Sequence, residues 1–269
     1  MTDALHVLGS EAAAAVVAAM LRTNLAIGAA ILAVAVLRAP LRRAHGPAAA
    51  YLLWWAPVVV AVLSPVAEFL GDRPDALALA LADRPELLRG LLLTWAAGCG
   101  LMSAMFAFAQ ARFQVQLAAG RAGPAVVGFI APRIVFPADM GAYSEPERAL
   151  IRAHERQHVA RKDPRAVALA TLVQCVCWFN PLVHLAASLL RLDQELACDA
   201  AVILRRPAAR GLYARTLLKS QMMARAAPLA CCWLGLGAHP LELRIASLRR
   251  SVGASSHSAV HATSDAIRP

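Results

Sequence analysis

The chain has 269 residues, of which 59% are apolar and only 16% charged, against roughly 45–50% and about 25% in a typical soluble domain. A water-soluble fold of this length has no interior large enough for that excess, which excludes an ordinary globular protein and makes lipid the solvent for part of the chain. The net charge of +10 is spread as short Arg clusters between apolar runs. That is the pattern of membrane-protein loops rather than a nucleic-acid footprint, so no direct nucleic-acid partner is expected.

The N-terminal segment carries no basic region ahead of its apolar stretch, so a cleaved signal peptide is not indicated. Three apolar stretches follow, Ala12 to Leu37, Ala48 to Leu70 and Leu88 to Ala109. Each reaches the roughly 20 residues needed to cross a bilayer. Arg22 and Asn24 interrupt the first and should face other helices or an interface. Arg38, Arg42 and Arg43 follow it without an acid, whereas the connection after the second span mixes Asp72, Asp75, Asp83 and Glu86 with Arg73, Arg84 and Arg89. The positive-inside rule then puts the N-terminus outside and everything from Arg112 onward in the cytoplasm. The organisation expected is a transmembrane region over 1–111, a domain over 112–250 and a disordered Ser/Ala/His-rich tail over 251–269.

Ala125 to Pro137 is rich in Val, Ile and Phe and punctuated by Gly128 and Pro132, which reads as two short strands with a bend. Ser144 and Glu147 make a capping box with Pro146 in the first turn. They predict a helix from Glu145 to Lys162, closed by Asp163-Pro164. The six cysteines form no pair of CxxC motifs, so reduced, buried thiols are expected.

The predicted helix carries His154-Glu155-Arg156-Gln157-His158. Positions i and i+4 share a face, so both imidazoles can reach one ion. Glu155 projects beside them and can deprotonate a water that zinc has acidified. The motif leaves a catalytic site one ligand short. Glu195 and Asp199, again i and i+4, stand on a later predicted helix. Glu195 can be the third ligand, and Asp199 can accept the other ring N–H of a ligating histidine, His154 in the first instance. One Zn2+ per chain is expected. The metal also bears on topology: Ala166 to Leu190 is apolar enough for a fourth span, but a crossing would separate Glu195 from His154 and His158. Asn180-Pro181 breaks that run, and a helical hairpin returning to the same side is expected instead.

Gly128-Phe129-Ile130-Ala131-Pro132-Arg133-Ile134-Val135-Phe136-Pro137, the His154 motif with Arg161 and Asp163, Trp178-Phe179-Asn180-Pro181-Leu182, and Glu195-Leu196-Ala197-Cys198-Asp199 occur in that order. Together they make the chain resemble the BlaR/MecR type of membrane zinc metallopeptidase over roughly residues 15 to 250. The resemblance implies a mainly α membrane protein, with three N-terminal transmembrane helices before a cytoplasm-facing α+β metallopeptidase domain holding a small sheet. It implies zinc on His154, His158 and Glu195, Glu155 as general base, and Arg133, Ile134, Val135 and Phe136 as a strand edge that pairs a substrate's backbone. The function it implies is regulated proteolysis of a cytoplasmic winged-helix transcriptional repressor, and of the chain itself, at a bacterial inner membrane. After Leu241-Glu242-Leu243-Arg244-Ile245 the sequence shows no convincing further span and no sensor domain. A separate sensor protein or a homo-oligomer is therefore expected beside the protein substrate and the lipid. The competing readings are a non-catalytic scaffold with structural zinc and a membrane quality-control protease.

Other residues have weaker claims. Arg161 and Asp163 follow the second histidine and can form a salt bridge that orients the metal helix. His184 and Arg191 lie between the two metal motifs and are candidates for stabilising an oxyanion, although a structural histidine beside Pro181 is the simpler reading.

Overall fold

The computed structural model describes residues 2–69, 76–128, 130–223 and 240–248. In chain order the elements are α1 (Thr2–His45), α2 (Pro47–Leu52), α3 (Trp55–Phe69), α4 (Ala76–Ala82), α5 (Pro85–Ala118), β1 (Ala125–Val127), β2 (Arg133–Val135), α6 (Glu145–Ala160), α7 (Asp163–Val176), α8 (Pro181–Arg205) and α9 (Arg210–Met223). A helix α10 over residues 240–248 follows. The expected tail over 251–269 lies outside the described residues, as do Phe129, Cys231 and Cys232.

The chain divides into two compact units, residues 1–108 with 168–190, and residues 109–167 with 191–269. This differs from the contiguous 112–250 domain expected, and the first unit's core explains why. Cys177, Val183 and Leu190, from the apolar run after α6, share a buried cluster with Ile27, Ile31 and Val34 of α1 and Trp54. Their apolar surface is covered by N-terminal helices.

Among the described residues three helical stretches are long and apolar enough to cross a membrane, Glu11–His45, Pro47–Ala67 and Pro85–Ala118. Leu25, Val36, Leu93, Leu101 and Phe108 are each more than half exposed, a surface that acyl chains cover and water disfavours. The first and third of these helices outrun the apolar segments read from the sequence, because hydropathy marks where lipid contact ends, not where helical hydrogen bonding ends. Arg38, Arg42 and Arg43 ride on the continuing α1. Residues 76–82, read from the sequence as part of a charged loop, form α4 because Ala and Leu are strong helix formers. Leu81 of α4 is buried with Ala14, Val17 and Ala18 of α1 and Leu88 of α5.

α7 and α8 meet at the break expected at Asn180-Pro181. Gln174 faces His184, Nε2 to Nδ1, at 3.1 Å, and Ala170 and Val173 pack against the cluster that holds Val183 and Leu190. The Asn180 side chain donates to the backbone O and Oδ1 of buried Asn24, both at 3.3 Å, so the polar residue that interrupts the first span meets the turn. Trp178 donates to Trp95 O at 3.2 Å, while Trp95 donates to Val176 O at 2.9 Å. Gly98 makes this approach possible, since a Cβ there would overlap the Trp178 indole. Gly98→Ala should therefore lower stability by about 1–3 kcal/mol through overpacking, whereas Gly100→Ala, with open space around it, should be neutral or slightly stabilising. Resistance to unfolding in mixed micelles measures both, and equal behaviour of the two variants would refute the account.

In the second unit β1 and β2 pair antiparallel, Ala125 with Val135 and Val127 with Arg133. Gly128, at φ 89°, opens the reversal between them in a conformation that disfavours a side chain. α6 ends two residues earlier than the sequence reading placed it. Lys162 adopts φ 60°, and Asp163-Pro164 opens α7 instead of closing α6, at positions where the proline's missing N–H carries no penalty. Leu150 of α6, Val202 and Ile203 of α8, Tyr213 and Leu217 of α9 and Leu248 of α10 build the core.

Candidate metal centre

α6 is fixed at both ends. Glu147 accepts the Ser144 backbone N–H at 2.8 Å and closes the capping box. Lys219 of α9 bonds Glu147 at 3.1 Å and Ala142 O at 2.8 Å. The buried face of the helix carries Leu150, Ile151, His154 and Glu155, so the apolar stripe that packs the core also delivers the polar site. α8 presents Glu195 and Asp199 one turn apart within the same unit.

The imidazoles of His154 and His158 face each other with their Nε2 atoms 3.1 Å apart. Glu195 offers Oε2 at 3.3 Å to His154 Nε2 and Oε1 at 3.4 Å to His158 Nε2. The far side of each ring fixes its tautomer. His158 Nδ1 lies 2.8 Å from Asp163 Oδ2, and a carboxylate there requires an N–H. His154 Nδ1 lies 2.8 Å from the Tyr213 hydroxyl, whose proton goes to Asp199 Oδ1 at 2.7 Å, so the phenol oxygen accepts an Nδ1–H. Both Nε2 lone pairs then converge on the Glu195 carboxylate with no donor between them. With both rings neutral such a set of acceptors is satisfied by a cation at its centre, and two imidazoles with one carboxylate suit a divalent transition metal with a position left open. His154, His158 and Glu195 are thus a group that could hold a metal ion.

The expected Asp199–His154 and Arg161–Asp163 contacts are both present, each beside a shorter one. Asp199 stands 3.4 Å from His154 Nδ1, but the shorter path runs through Tyr213. Asp163 bonds His158 directly, and its ion pair with Arg161 is the longer contact at 3.5 Å. Arg161 also reaches Gln194 O at 3.4 Å and the Cys198 thiol at 3.5 Å. His184 is not brought into this group: both its ring nitrogens are engaged, with Gln174 and with Trp178 O at 3.0 Å. Arg191 lies half-buried one turn before Glu195 on α8. Arg133, Ile134 and Val135 form β2, Phe136 follows it, and both strands pack beside α6.

The sequence reading missed Tyr213 and Arg244. Arg244 is buried and bonds Asp199 twice, Nε and Nη2 each at 2.8 Å, and Glu195 Oε2 at 2.9 Å. A signal for it was present: Leu241, Arg244, Ile245 and Leu248 make one helical stripe, and a guanidinium in an apolar stripe needs a buried acid. Tyr213 carries no such mark, because a tyrosine in a core stripe is ordinary.

Electrostatics follow the geometry. Burial pushes the Glu155 carboxyl above its ordinary pKa, partly opposed by His154 and His158. Glu195 is held well below the carboxylate range, because Arg244 and both histidines outweigh its burial. Burial disfavours a charged His154, but Asp199 and Glu195 overcome it and raise its pKa to about 9. Protonated His154 therefore stabilises the metal-free fold fully below about pH 6.5, and that contribution is lost as pH rises toward 9. A metal needs the neutral ring, so its affinity should rise across the same window with proton release on binding. Calorimetry in two buffers of different ionisation enthalpy counts those protons. Affinity independent of pH between 6.5 and 9 would contradict the assignment.

Membrane-crossing helices joined to a unit built around a His-Glu-x-x-His helix define a membrane metallopeptidase-type protein. The family model described as BlaR1 peptidase M56 matches residues 109–248, and the chain belongs to that family. It is 35% identical over 80 residues to Regulatory protein BlaR1 of Bacillus licheniformis, a match covering 30% of this chain and only 13% of that protein's length. No solved structure matches.

Proposed function

We propose that the protein is a membrane-bound zinc metalloendopeptidase, acting in regulated proteolysis of a cytoplasmic transcriptional repressor, with the chain itself as a second substrate. The observation that carries this reading is the convergence of His154 Nε2, His158 Nε2 and Glu195 beside Glu155 on the same helix. His154, His158 and Glu195 would hold the ion. When bound, zinc supplies Lewis acidity, acidifying a water and polarising a peptide carbonyl.

The chain's own groups do the rest. Glu155, poised upward by burial, takes the proton from the attacking water and returns it to the leaving amine. Asp163 and the Tyr213–Asp199 pair keep both imidazoles turned with Nε2 inward. Glu195 retains a third of its side-chain surface open at 33%, which supports access from solvent. β2 pairs only with β1 among the described residues, leaving a strand edge beside α6 where an extended substrate could add its backbone. The Arg-rich connection after the first span supports a cytoplasmic face for this unit.

The test is to express the Glu155→Ala protein in its native membrane, recover proteins retained by it, and ask whether wild type cleaves them in a chelator-sensitive way. Bound zinc with no cleavage of any retained protein or of the chain would overturn the peptidase reading in favour of a scaffold.

A further inference from the structure

Arg244 and Tyr213 stand outside both metal motifs, on α10 and α9. Both are buried, Arg244 at 8% exposure and Tyr213 at 2%. A buried guanidinium needs partners for its planar face of donors, and Arg244 divides them between two acids on one face of α8. Nε and Nη2 take both oxygens of Asp199, and Nη1 takes Glu195 Oε2. The hold on Asp199 is bidentate, which fixes the carboxylate's plane as well as its position. Asp199 Oδ1 is then directed at the Tyr213 hydroxyl, and the phenol oxygen at His154 Nδ1.

We propose that Arg244 and Tyr213 are positioning residues of the metal centre: Arg244 clamps Glu195 and Asp199 together, and Tyr213 passes that hold to His154, keeping its Nε2 lone pair on the ion. The inference rests on the reading of His154, His158 and Glu195 as metal ligands. It adds that the centre, with its orienting groups, spans five helices, α6 to α10, and that its geometry is set by groups that never touch the metal. The two histidines are held differently as a result. Asp163 reaches His158 directly, so that ring depends on the first turn of α7. Asp199 stands 3.4 Å from His154 Nδ1, and its shorter, hydrogen-bonded path to that ring runs through a neutral phenol, whose single proton it fixes. Tyr213→Phe removes the acceptor of the His154 N–H and keeps the ring that packs among Leu150, Val202 and Leu217. Arg244→Lys keeps the charge, but its compact ammonium cannot grip Asp199 in two places and Glu195 at once.

The full chain in bilayers or micelles is titrated with Co2+ and with Zn2+ against a chromophoric chelator, and the visible Co2+ bands are recorded. Tyr213→Phe should weaken metal binding on the order of 10–100-fold, as loss of a ligand's orienting partner does, and alter the Co2+ bands. Leu217→Ala, in the same core cluster, is the control: it should loosen the fold without changing the bands. Arg244→Lys should behave like Tyr213→Phe, and if it does not fold, Tyr213→Phe with its control still decides. Wild-type affinity and bands in Tyr213→Phe would overturn the inference, as would an equal loss in Leu217→Ala. Failure of the wild type to bind either ion would instead overturn the metal reading beneath it.

Discussion

Replacing Glu155 by Gln will lower peptide hydrolysis by about 10²–10⁴-fold, the usual contribution of a positioned general base, while the metal remains bound. The side chain is buried on the same face of α6 as His154, and none of the three proposed ligand atoms belongs to it. Gln keeps the shape and loses only the ability to take a proton. The pH profile adds a second mark. Burial raises the Glu155 carboxyl above the ordinary range, and the base acts only when ionised. Activity should therefore fall on an acid limb as Glu155 takes up its proton. The limb should disappear from whatever activity Glu155→Gln retains. Rates against a trapped substrate, with metal content measured in parallel, test both points. Full activity in Glu155→Gln, or loss of metal with loss of activity, would show that another group is the base or that Glu155 is a ligand.

Asp199→Ala is expected to destabilise the protein most, by about 3–5 kcal/mol, the range for breaking a buried ion pair from one side. Asp199 is fully buried and accepts three hydrogen bonds, two from Arg244 and one from Tyr213. Removing it leaves the guanidinium with Glu195 alone and the phenol without its acceptor. Burial opposes ionisation of Asp199, but Arg244 and His154 outweigh it and lower its pKa. Its contribution is thus present at neutral pH and lost as pH falls below about 3.9 through the depressed folded value. Denaturant unfolding of the metal-free protein in micelles measures the difference. A loss below about 1 kcal/mol would mean that water or repacking replaces the carboxylate.

These two residues were legible in the sequence to different degrees. His154, Glu155 and His158 lie within five consecutive positions on one capped helix, so their common face follows from helical period alone. Glu195 and Asp199 were found the same way, as a second pair one turn apart. Their partners were not. The assignment of Asp199 to His154 left out a tyrosine from α9 because no local pattern links residue 199 to residue 213. His184 lies between the motifs in sequence, but its two ring nitrogens are engaged by Gln174 and Trp178.

Composition and periodicity by themselves determined the membrane helices, the capping box, the paired short strands, the break at Asn180-Pro181 and the two metal-motif faces. Each depends on residues within a few turns of one another, where covalent geometry fixes which side chains are neighbours. Tertiary structure alone decided that residues 168–190 join the N-terminal helices, that Gly98 makes room for Trp178, and that Arg244 and Tyr213 surround the candidate metal site. Those contacts join segments tens of residues apart. They are selected by the need to cover apolar surface and to give every buried charge and N–H a partner, which no short stretch of sequence can specify.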